Sequence, residues 1–244
     1  MSYTKTTLKF TSKNLNFLTR RLLIEDKPEI LKFYGDNHPE AYSKVFKYTK
    51  KDLEDLCSRV FDHSLKYDLG TTTVNTDKNI IAFSYMGTDF YYNLRDNYKS
   101  DFCMSPNASK LEIEFIQQLN SKIPEKYLPT KIGEVCGSDA CVNPDFTRLG
   151  LLKHSWIHFL RKVKEKKYKY FVTRSISKGT LKFAEKVGAT KVGYINLTEF
   201  TTAEGIKPFK DAAKLYEGQQ FDNEICVTVL DIQNTDIDYL DKYL

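Results

Sequence analysis

The sequence predicts an α/β protein in which helices flank a central mixed β-sheet. Its 244 residues, 41% hydrophobic and 28% charged, are enough to bury a sizeable core and have an ordinary globular composition. A strand-like run at residues 132–142 leads through a short turn into a helix with one apolar face. That face consists of Leu152, Trp156, Phe159, Leu160 and Val163. Strand and helix patterns alternate on both sides of this junction, and the alternation predicts the fold class.

The first half of the chain predicts, in order, a strand, two helices, an antiparallel hairpin and an inserted helix. Acidic residues and a proline at residues 25–28 indicate the start of the first helix. Thr49 with Asp52, and Ser109 with Glu112, predict helix-capping pairs. The predicted bounds are 17–24 for the strand, 25–34 and 49–61 for the two helices, 69–76 with 79–88 for the hairpin, and 109–123 for the inserted helix.

The second half predicts three further strands and two helices around the central junction. Ser177 is the expected N-cap of the second of these helices, and Gly188 is its expected stop. A long connection at residues 201–223 separates the last two strands. The predicted bounds are 168–173, 190–200 and 224–232 for the strands, and 152–163 and 177–187 for the helices.

The chain shows no internal repeat, low-complexity linker or composition break, and this favours one domain. The predicted organisation is an N-terminal arm at residues 1–14, a single domain at 15–232 and an acidic C-terminal tail at 233–244. The tail ends in IDYLDKYL, which suits docking to a protein partner. It equally suits a terminal helix packed on its own domain.

Composition argues against several classes of function. The five cysteines have no CxxC spacing and the four histidines form no ligand-like cluster with them, so we expect neither disulfides nor a metal site. No apolar run is long enough to span a bilayer and the N-terminus is too polar for a signal peptide, so we expect a cytoplasmic protein with no membrane partner. The net charge of +5 is modest. The basic run at residues 161–169 suits a helix C-terminus better than a nucleic-acid site.

The turn at residues 142–153, VNPDFTRLGLLK, has the properties of an anion site. The first turn of a helix exposes N–H groups that have no partner within the helix. Gly150 allows a ligand to approach these groups closely, and Arg148 and Lys153 add positive charge. A phosphate group is therefore the expected ligand.

The order strand, Val-x-Pro, polar turn, Gly and amphipathic helix resembles the acetyl-CoA-binding motif (Q/R)-x-x-G-x-(G/A) of the GCN5-related N-acetyltransferases (GNAT). Gly150 matches the central glycine, whereas Thr147 replaces the Gln or Arg and Leu152 replaces the small residue. The order of predicted elements over residues 17–232 also resembles the GNAT fold, as does the stretch SKGTLKFAEKVGATKVGYI, whose KVGA resembles the family's KLGF. Within the family, the chain is most similar to the arylalkylamine N-acetyltransferase branch.

The resemblance implies that acetyl-CoA is the donor substrate and that its pyrophosphate contacts this turn. The strand end would hold the pantetheine arm, and one of its backbone N–H groups would contact the reacting carbonyl oxygen. The connection at residues 198–221 would shape the pocket for the acceptor amine. The implied acetyl-CoA-binding residues are Ala140, Cys141, Val142, Thr147, Arg148, Leu149, Gly150, Leu151, Leu152 and Lys153.

A base must remove a proton from the acceptor ammonium group, whose pKa is about 10. The arylalkylamine branch is similar to this chain in having a carboxylate just before a proline in the loop after the first helix. Here His38 precedes that proline and Glu40 follows it, and a neutral histidine can accept a proton. Glu134 and Asp139, on the predicted central strand, are the other candidates for the base.

Two positions on the later helix concern acetyl-CoA and the leaving thiolate. Thr180 occupies a serine-like position of the arylalkylamine motif, where it would hold a water or contact CoA. Ala184 stands where many family members place a tyrosine as general acid. With Thr147 and Leu152, this is the third departure from the family pattern.

Two functions therefore stand side by side. The first is an N-acetyltransferase that transfers an acetyl group from acetyl-CoA to a small amine by direct attack. The second is a catalytically inactive pseudoenzyme that binds protein partners in a larger assembly, for example a cytoskeletal or ciliary one. A fold does not decide between such alternatives.

Overall fold

The computed structural model describes residues 7–37, 40–90, 110–211 and 221–243. The strands found there are β1 (Leu8–Ser12), β2 (Leu15–Arg21), β3 (Gly70–Asn75), β4 (Ile80–Asp89), β5 (Val135–Val142), β6 (Tyr170–Ser177), β7 (Thr190–Asn196) and β8 (Phe221–Asp231). They form one sheet in the order β1-β2-β3-β4-β5-β6-β8-β7. Neighbouring strands are antiparallel, apart from the parallel pair β5 and β6. This is the mixed sheet that the sequence predicts.

The helices of the described part lie where capping residues and apolar stripes predict them, apart from a short helix at Glu40–Phe46 that the sequence did not predict. Ser109, of the second predicted capping pair, lies outside the described residues. Thr49 accepts the backbone N–H of Asp52 and Asp52 accepts that of Thr49, which confirms this capping box. Ser177 accepts the N–H of Thr180 and so caps the last helix. The helices are α1 (Lys27–Asn37), α2 (Glu40–Phe46), α3 (Lys50–Lys66), α4 (Lys110–Asn120), α5 (Leu151–Glu165) and α6 (Lys178–Lys186).

The described parts of both terminal segments pack on the domain. Leu8–Ser12, in a segment where the sequence carries no clear pattern, pairs with β2 along its whole length as β1. In the C-terminal tail, Ile237 and Leu240 are buried in the same core cluster as α5. Arg161 of α5 pairs with Asp238, with 3.3 Å between Nε and Oδ1. Of the two interpretations of the tail, this contact favours packing on its own domain.

The core has two sides because alternate residues of a strand point to opposite faces of the sheet. Cys136 and Phe171 pack with α5 and α6 on one face. Val135 and Val172 pack with α4 on the other. The helices α1 and α3 cover that second face toward β3 and β4. Helices on both faces leave the ends of the strands as the accessible edges for a site.

One irregularity of the sheet creates the site. The parallel strands β5 and β6 are paired only at Val135 with Tyr170 and at Cys136 with Phe171. Beyond these pairs β5 continues to Val142, still bonded to β4, and β6 continues to Ser177, bonded to β8. The two strands therefore separate toward their carboxyl ends, and the facing backbone edges between them are open to a ligand.

Candidate active site between the separated strands

The gap between β5 and β6 opens into a cavity of about 270 Å³. Both strands line it with mostly polar residues, which are Ser138 and Asp139 of β5, beside Ala140, and Thr173, Arg174 and Ser175 of β6. The opposite wall is apolar and aromatic, and it includes Phe46, Tyr48, Phe115, Ile116 and Leu119. A cavity with one apolar wall and a few convergent polar groups is typical of a small-molecule site.

Asp139 and Tyr34 meet in this cavity. The phenol of Tyr34, on α1, donates a hydrogen bond of 2.7 Å to Oδ2 of Asp139. Burial raises the pKa of the Asp139 carboxyl above its ordinary value, although this hydrogen bond opposes the shift. Burial and the nearby charge of Asp139 hold the pKa of Tyr34 well above its ordinary value, so the phenol keeps its proton. The pair therefore consists of a hydrogen-bond donor and a carboxylate with increased affinity for a proton.

The other oxygen of Asp139 contacts the backbone. The N–H of Ala140 donates to Oδ1 of Asp139 over 2.8 Å. Ala140 lines the cavity and is exposed. One carboxylate thus bridges a backbone amide and a phenol on the side of β5 that faces the gap.

The remaining polar groups hold the walls in place. Nη2 of Arg174 donates to Oδ1 of Asn120 over 2.6 Å, and its guanidinium lies 5.6 Å from the ring centre of Phe90. The hydroxyl of Ser138 donates to the phenolic oxygen of Tyr85 over 2.8 Å. The positive charge of Arg174 opposes the upward shift of the Asp139 pKa.

A second feature, the turn before α5, has backbone angles that suit an anion site. Arg148 and Gly150 have φ angles of +60° and +72°, so the backbone alternates in hand, as it does in the turns whose successive N–H groups bind anions. None of the hydrogen bonds in the described part of the chain uses the N–H groups of residues 148–152. Ser12 of β1 donates to the carbonyl oxygen of Leu149 over 2.9 Å and so ties the turn to the sheet.

The two leucines at the start of α5 have different environments. Leu151 is buried in the core. Leu152 is only partly buried; it packs against the core and also lines the cavity. Leu151 thus takes the core position that the spacing to Trp156 predicts for Leu152. Leu152 extends the apolar surface from the turn toward the gap.

The strand end that the resemblance assigned to the pantetheine arm is divided between site and core. Ala140 lines the cavity. Cys141 is buried between the sheet and the helices α1 and α3. Val142 packs against the core on the α5 side. Only the first of the three presents its side chain to the gap among the described contacts.

The other predicted site residues are not all brought together. His38 lies outside the described residues, and the side chain of Glu40, the first residue of α2, is also outside them. Glu134 does not line the cavity; its carboxylate accepts hydrogen bonds from the N–H and Oγ1 of Thr130 at 2.7 and 2.8 Å. The N–H bond and the hydroxyl bond from Thr130 lower the pKa of Glu134 to about 2. The structure therefore gives Glu134 a loop-closing contact.

The later helix contributes Thr180, which lines the cavity with its hydroxyl 2.8 Å from Oγ of the capping Ser177. Ala184 is fully buried in the core, so this helix position carries no acid. Tyr168, just before β6 in the sequence, does not supply an acid to the cavity either. Its phenol donates a hydrogen bond of 2.9 Å to Asp89, at the opposite end of the strands. The phenol beside the candidate base is Tyr34, which sequence reasoning used only as the end of a helix.

The connection at residues 198–221 acts on the cavity indirectly. None of the residues 198–211 lines the cavity. Phe200 and Phe209 pack edge to face with Phe115, at 5.2 Å, and with Phe46, at 5.5 Å, respectively. They support the aromatic wall from behind.

No family model matches the sequence, and a search of the curated proteins finds no match. Solved structures do match. The C-terminal condensation domain of Ebony, in complex with beta-alanyl-dopamine, superposes with a TM-score of 0.69 and 16% identity over 89% of this chain and 99% of that one. Arylalkylamine N-acetyltransferase 2 from Aedes aegypti matches with a TM-score of 0.67 and 12% identity over 88% of this chain and 99% of that one.

This chain has the GNAT fold. A third match, the Drosophila melanogaster polyamine N-acetyltransferase that forms N-acetylagmatine, has a TM-score of 0.62 and 8% identity over 88% of this chain and 98% of that one. At such identities the likeness concerns the fold, and the fold predicted from the order of elements and the motif at Gly150 is thereby confirmed. Among the described residues, no helix is long and apolar enough to cross a membrane. In the same residues, no three His, Cys, Asp or Glu side chains are grouped as metal ligands.

Proposed function

We propose that this GNAT-fold protein is an N-acetyltransferase that transfers an acetyl group from acetyl-CoA to a small amine. The observation that carries the proposal is the Asp139 carboxylate, which lies in the gap between β5 and β6 and accepts the backbone N–H of Ala140. Several proteins of like structure are named as amine N-acetyltransferases, and this supports the reaction class.

The residues present fit acetyl-CoA at both ends of the gap. The N–H groups of residues 148–152 and the positive end of the α5 dipole would bind the pyrophosphate. Arg148 and Lys153 would add charge, since the first turn of α5 contains no acidic residue that would oppose an anion. Leu152 would contact the pantetheine arm where it enters the cavity. Acetyl-CoA would supply an acetyl group activated as a thioester.

The chain itself would provide the proton transfer and the stabilisation of charge. Asp139 would take one proton from the acceptor ammonium, whose pKa of about 10 keeps it unreactive at neutral pH. Its raised pKa suits this role, because a base works best when its pKa approaches the working pH. The freed nitrogen lone pair attacks the thioester carbon, the carbon–sulfur bond breaks, and a proton passes to the sulfur. The amide of Ala140 would contact the carbonyl oxygen as negative charge develops on it.

Calorimetric titration with acetyl-CoA tests the first step. We expect saturable binding to the wild-type protein and its loss in Gly150→Trp, because the indole would cover the N–H groups of the turn. Gly205→Trp is the matched control, since Gly205 is also left-handed, with a φ of +81°, and has open space around it. It should bind like the wild type. A folded wild-type protein that does not bind millimolar acetyl-CoA would refute the proposal.

An amine screen tests the second step. Asp139→Asn should lower the rate of acetyl transfer by about a hundredfold or more, the usual contribution of a positioned base. Glu134→Gln is the control, because this carboxylate does not line the cavity. Equal losses in both variants would show that Asp139 has no special role.

One observation favours the alternative of an inactive, partner-binding subunit. The Ala140 N–H, the expected donor to the carbonyl oxygen, is already engaged by Asp139. A protein that has lost catalysis could keep such an internal contact permanently. Absence of acetyl-CoA binding in the titration would then direct the search toward protein partners.

A further inference from the structure

The proposed reaction needs the Ala140 N–H as a donor, and the Asp139 carboxylate occupies this N–H in the structure. Oδ1 accepts from the Ala140 N–H at 2.8 Å, and Oδ2 accepts from the Tyr34 phenol at 2.7 Å. Hydrogen bonds to a charged carboxylate are stronger than neutral ones. While the carboxylate keeps this bond, the amide is not available to a second oxygen in the gap.

We propose that Asp139 is a removable cap on the Ala140 amide, which the protonated acceptor amine displaces as it binds. This inference rests on the proposed function. An arriving ammonium pairs with the carboxylate and transfers one proton to it. The neutral carboxylic acid is a weaker acceptor, so the Asp139 side chain releases the Ala140 N–H, which then donates to the thioester carbonyl oxygen. The proton transfer that makes the amine nucleophilic therefore also releases the Ala140 N–H.

Charge gives the physical reason for the coupling. A carbonyl oxygen that gains negative charge beside an ionised Asp139 would be repelled in a partly buried cavity, where the effective dielectric constant is low. Neutralising the carboxylate removes that repulsion when the oxygen needs the amide. The donor substrate alone leaves the cap closed, and this would limit reaction of the thioester in the absence of an amine.

Tyr34 serves as a positioning residue in this arrangement. Its phenol occupies Oδ2 and fixes the side chain so that Oδ1 faces the Ala140 amide. Because burial keeps the pKa of Tyr34 well above its ordinary value, the phenol remains a donor in both protonation states of Asp139. Removing the hydroxyl should loosen the cap without abolishing it.

Other ionisable groups also face Asp139. Burial raises the pKa of the Cys141 thiol and of the Tyr34 and Tyr85 phenols, so these three groups stay neutral. Arg174 and Glu112, a second buried carboxyl, line the same cavity. The facing groups, from α1, α3, α4, β4, β5 and β6, are Tyr34, Cys57, Glu112, Tyr85, Cys141 and Arg174.

The test compares two ligands that differ only in the acetyl group. CoA lacks the thioester carbonyl, so the ratio of the CoA and acetyl-CoA dissociation constants isolates contacts to that carbonyl. In Asp139→Ala the amide has no cap, and the ratio should rise about three- to tenfold over the wild type, as expected for one freed hydrogen bond. Tyr34→Phe should raise it less, and Glu134→Ala should leave it unchanged.

A measurement on the wild type does not depend on a variant that folds. As the pH is lowered, Asp139 becomes neutral before an ordinary aspartate does, because burial raises its pKa, and the ratio should rise. Effects of pH on the binding of the CoA moiety are the same for both ligands, so they cancel in the ratio of the two dissociation constants. The rise should be absent in Asp139→Ala, whereas a rise that persists there would assign it to Glu112 and overturn the cap.

The failures of the two proposals are distinguishable. If neither ligand binds, the proposed function fails and the cap fails with it. If both ligands bind, but the ratio changes neither with pH nor in Asp139→Ala, the cap alone is wrong and the N-acetyltransferase proposal stands. A lower ratio in Asp139→Ala would also overturn the cap, since it would mean that the carboxylate favours the carbonyl.

Discussion

The substitution Gly87→Ala tests how closely α5, the helix that begins at the candidate anion site, packs against the sheet. Gly87 lies in β4, where Phe159 of α5 crosses it. A Cβ atom built at this position would be 2.5 Å from Cε2 of Phe159 and 2.7 Å from the backbone oxygen of Leu69. The second contact cannot be relieved by a side-chain rotation, because the N–H of Gly87 bonds to that same oxygen over 2.8 Å.

The magnitude follows from these distances. An ordinary carbon–carbon contact is about 3.5 Å or more, so Phe159 would have to move by about 1 Å. Phe159 is fully buried in a close-packed core, where the neighbours cannot yield freely. Overpacking of this kind costs about 1–3 kcal/mol. For Gly87→Ala we expect a loss of about 2 kcal/mol in the free energy of unfolding and a fall in Tm of about 4–8 °C.

The assay is urea unfolding of the wild type, Gly87→Ala and a control, Gly179→Ala. At Gly179, in the first turn of α6, an added Cβ meets no atom within 4 Å and the backbone is not left-handed. The control should therefore be neutral or more stable by about 0.5 kcal/mol, because alanine restricts the unfolded chain. The reasoning is refuted if Gly87→Ala unfolds at the wild-type urea concentration, or if both variants lose equal stability.

Two further predictions concern buried polar groups away from the cavity. Burial lowers the pKa of His63, His154 and His158 to about 4, so the unfolded chain binds more protons. The stability that these neutral histidines contribute is complete above about pH 6.5 and is lost as the pH falls toward 4. The free energy of unfolding should therefore be lower at about pH 5 than at about pH 7, by about 2 kcal/mol after discounting for solvent screening. Equal free energies at the two pH values would contradict the buried neutral state. Tyr168→Phe removes a donor from the fully buried Asp89 and should cost about 1.5–3 kcal/mol in urea unfolding, whereas an unchanged midpoint would show that the hydroxyl contributes nothing.

Features that depend on neighbours in sequence could be predicted. The capping box at Thr49 and the cap at Ser177 are contacts over three residues, and both are present. The turn before α5 is also local, since its open N–H groups follow from the start of a helix at Gly150. The hairpin of β3 and β4 follows from a short polar turn.

The N-terminal strand shows where local reasoning stopped. The five residues of β1 alternate between half-buried and exposed positions, but none of them is fully buried, so the pattern is too short and too weak to identify a strand. The stability of β1 comes from its pairing with β2 at the edge of the sheet. A strand that depends on its neighbour more than on its own pattern is hard to predict from one sequence.

The sequence by itself determined the order of the elements other than β1 and α2, the caps at Thr49 and Ser177 and the amide-lined turn, because each depends on residues a few positions apart. Only the tertiary structure decided which side chains meet in the cavity. Tyr34 and Asp139 are 105 positions apart, and Glu134 lies only five residues before Asp139 yet turns to a loop. Whether a carboxylate faces a gap or a loop depends on how β5 separates from β6, and that separation results from the packing of the whole sheet.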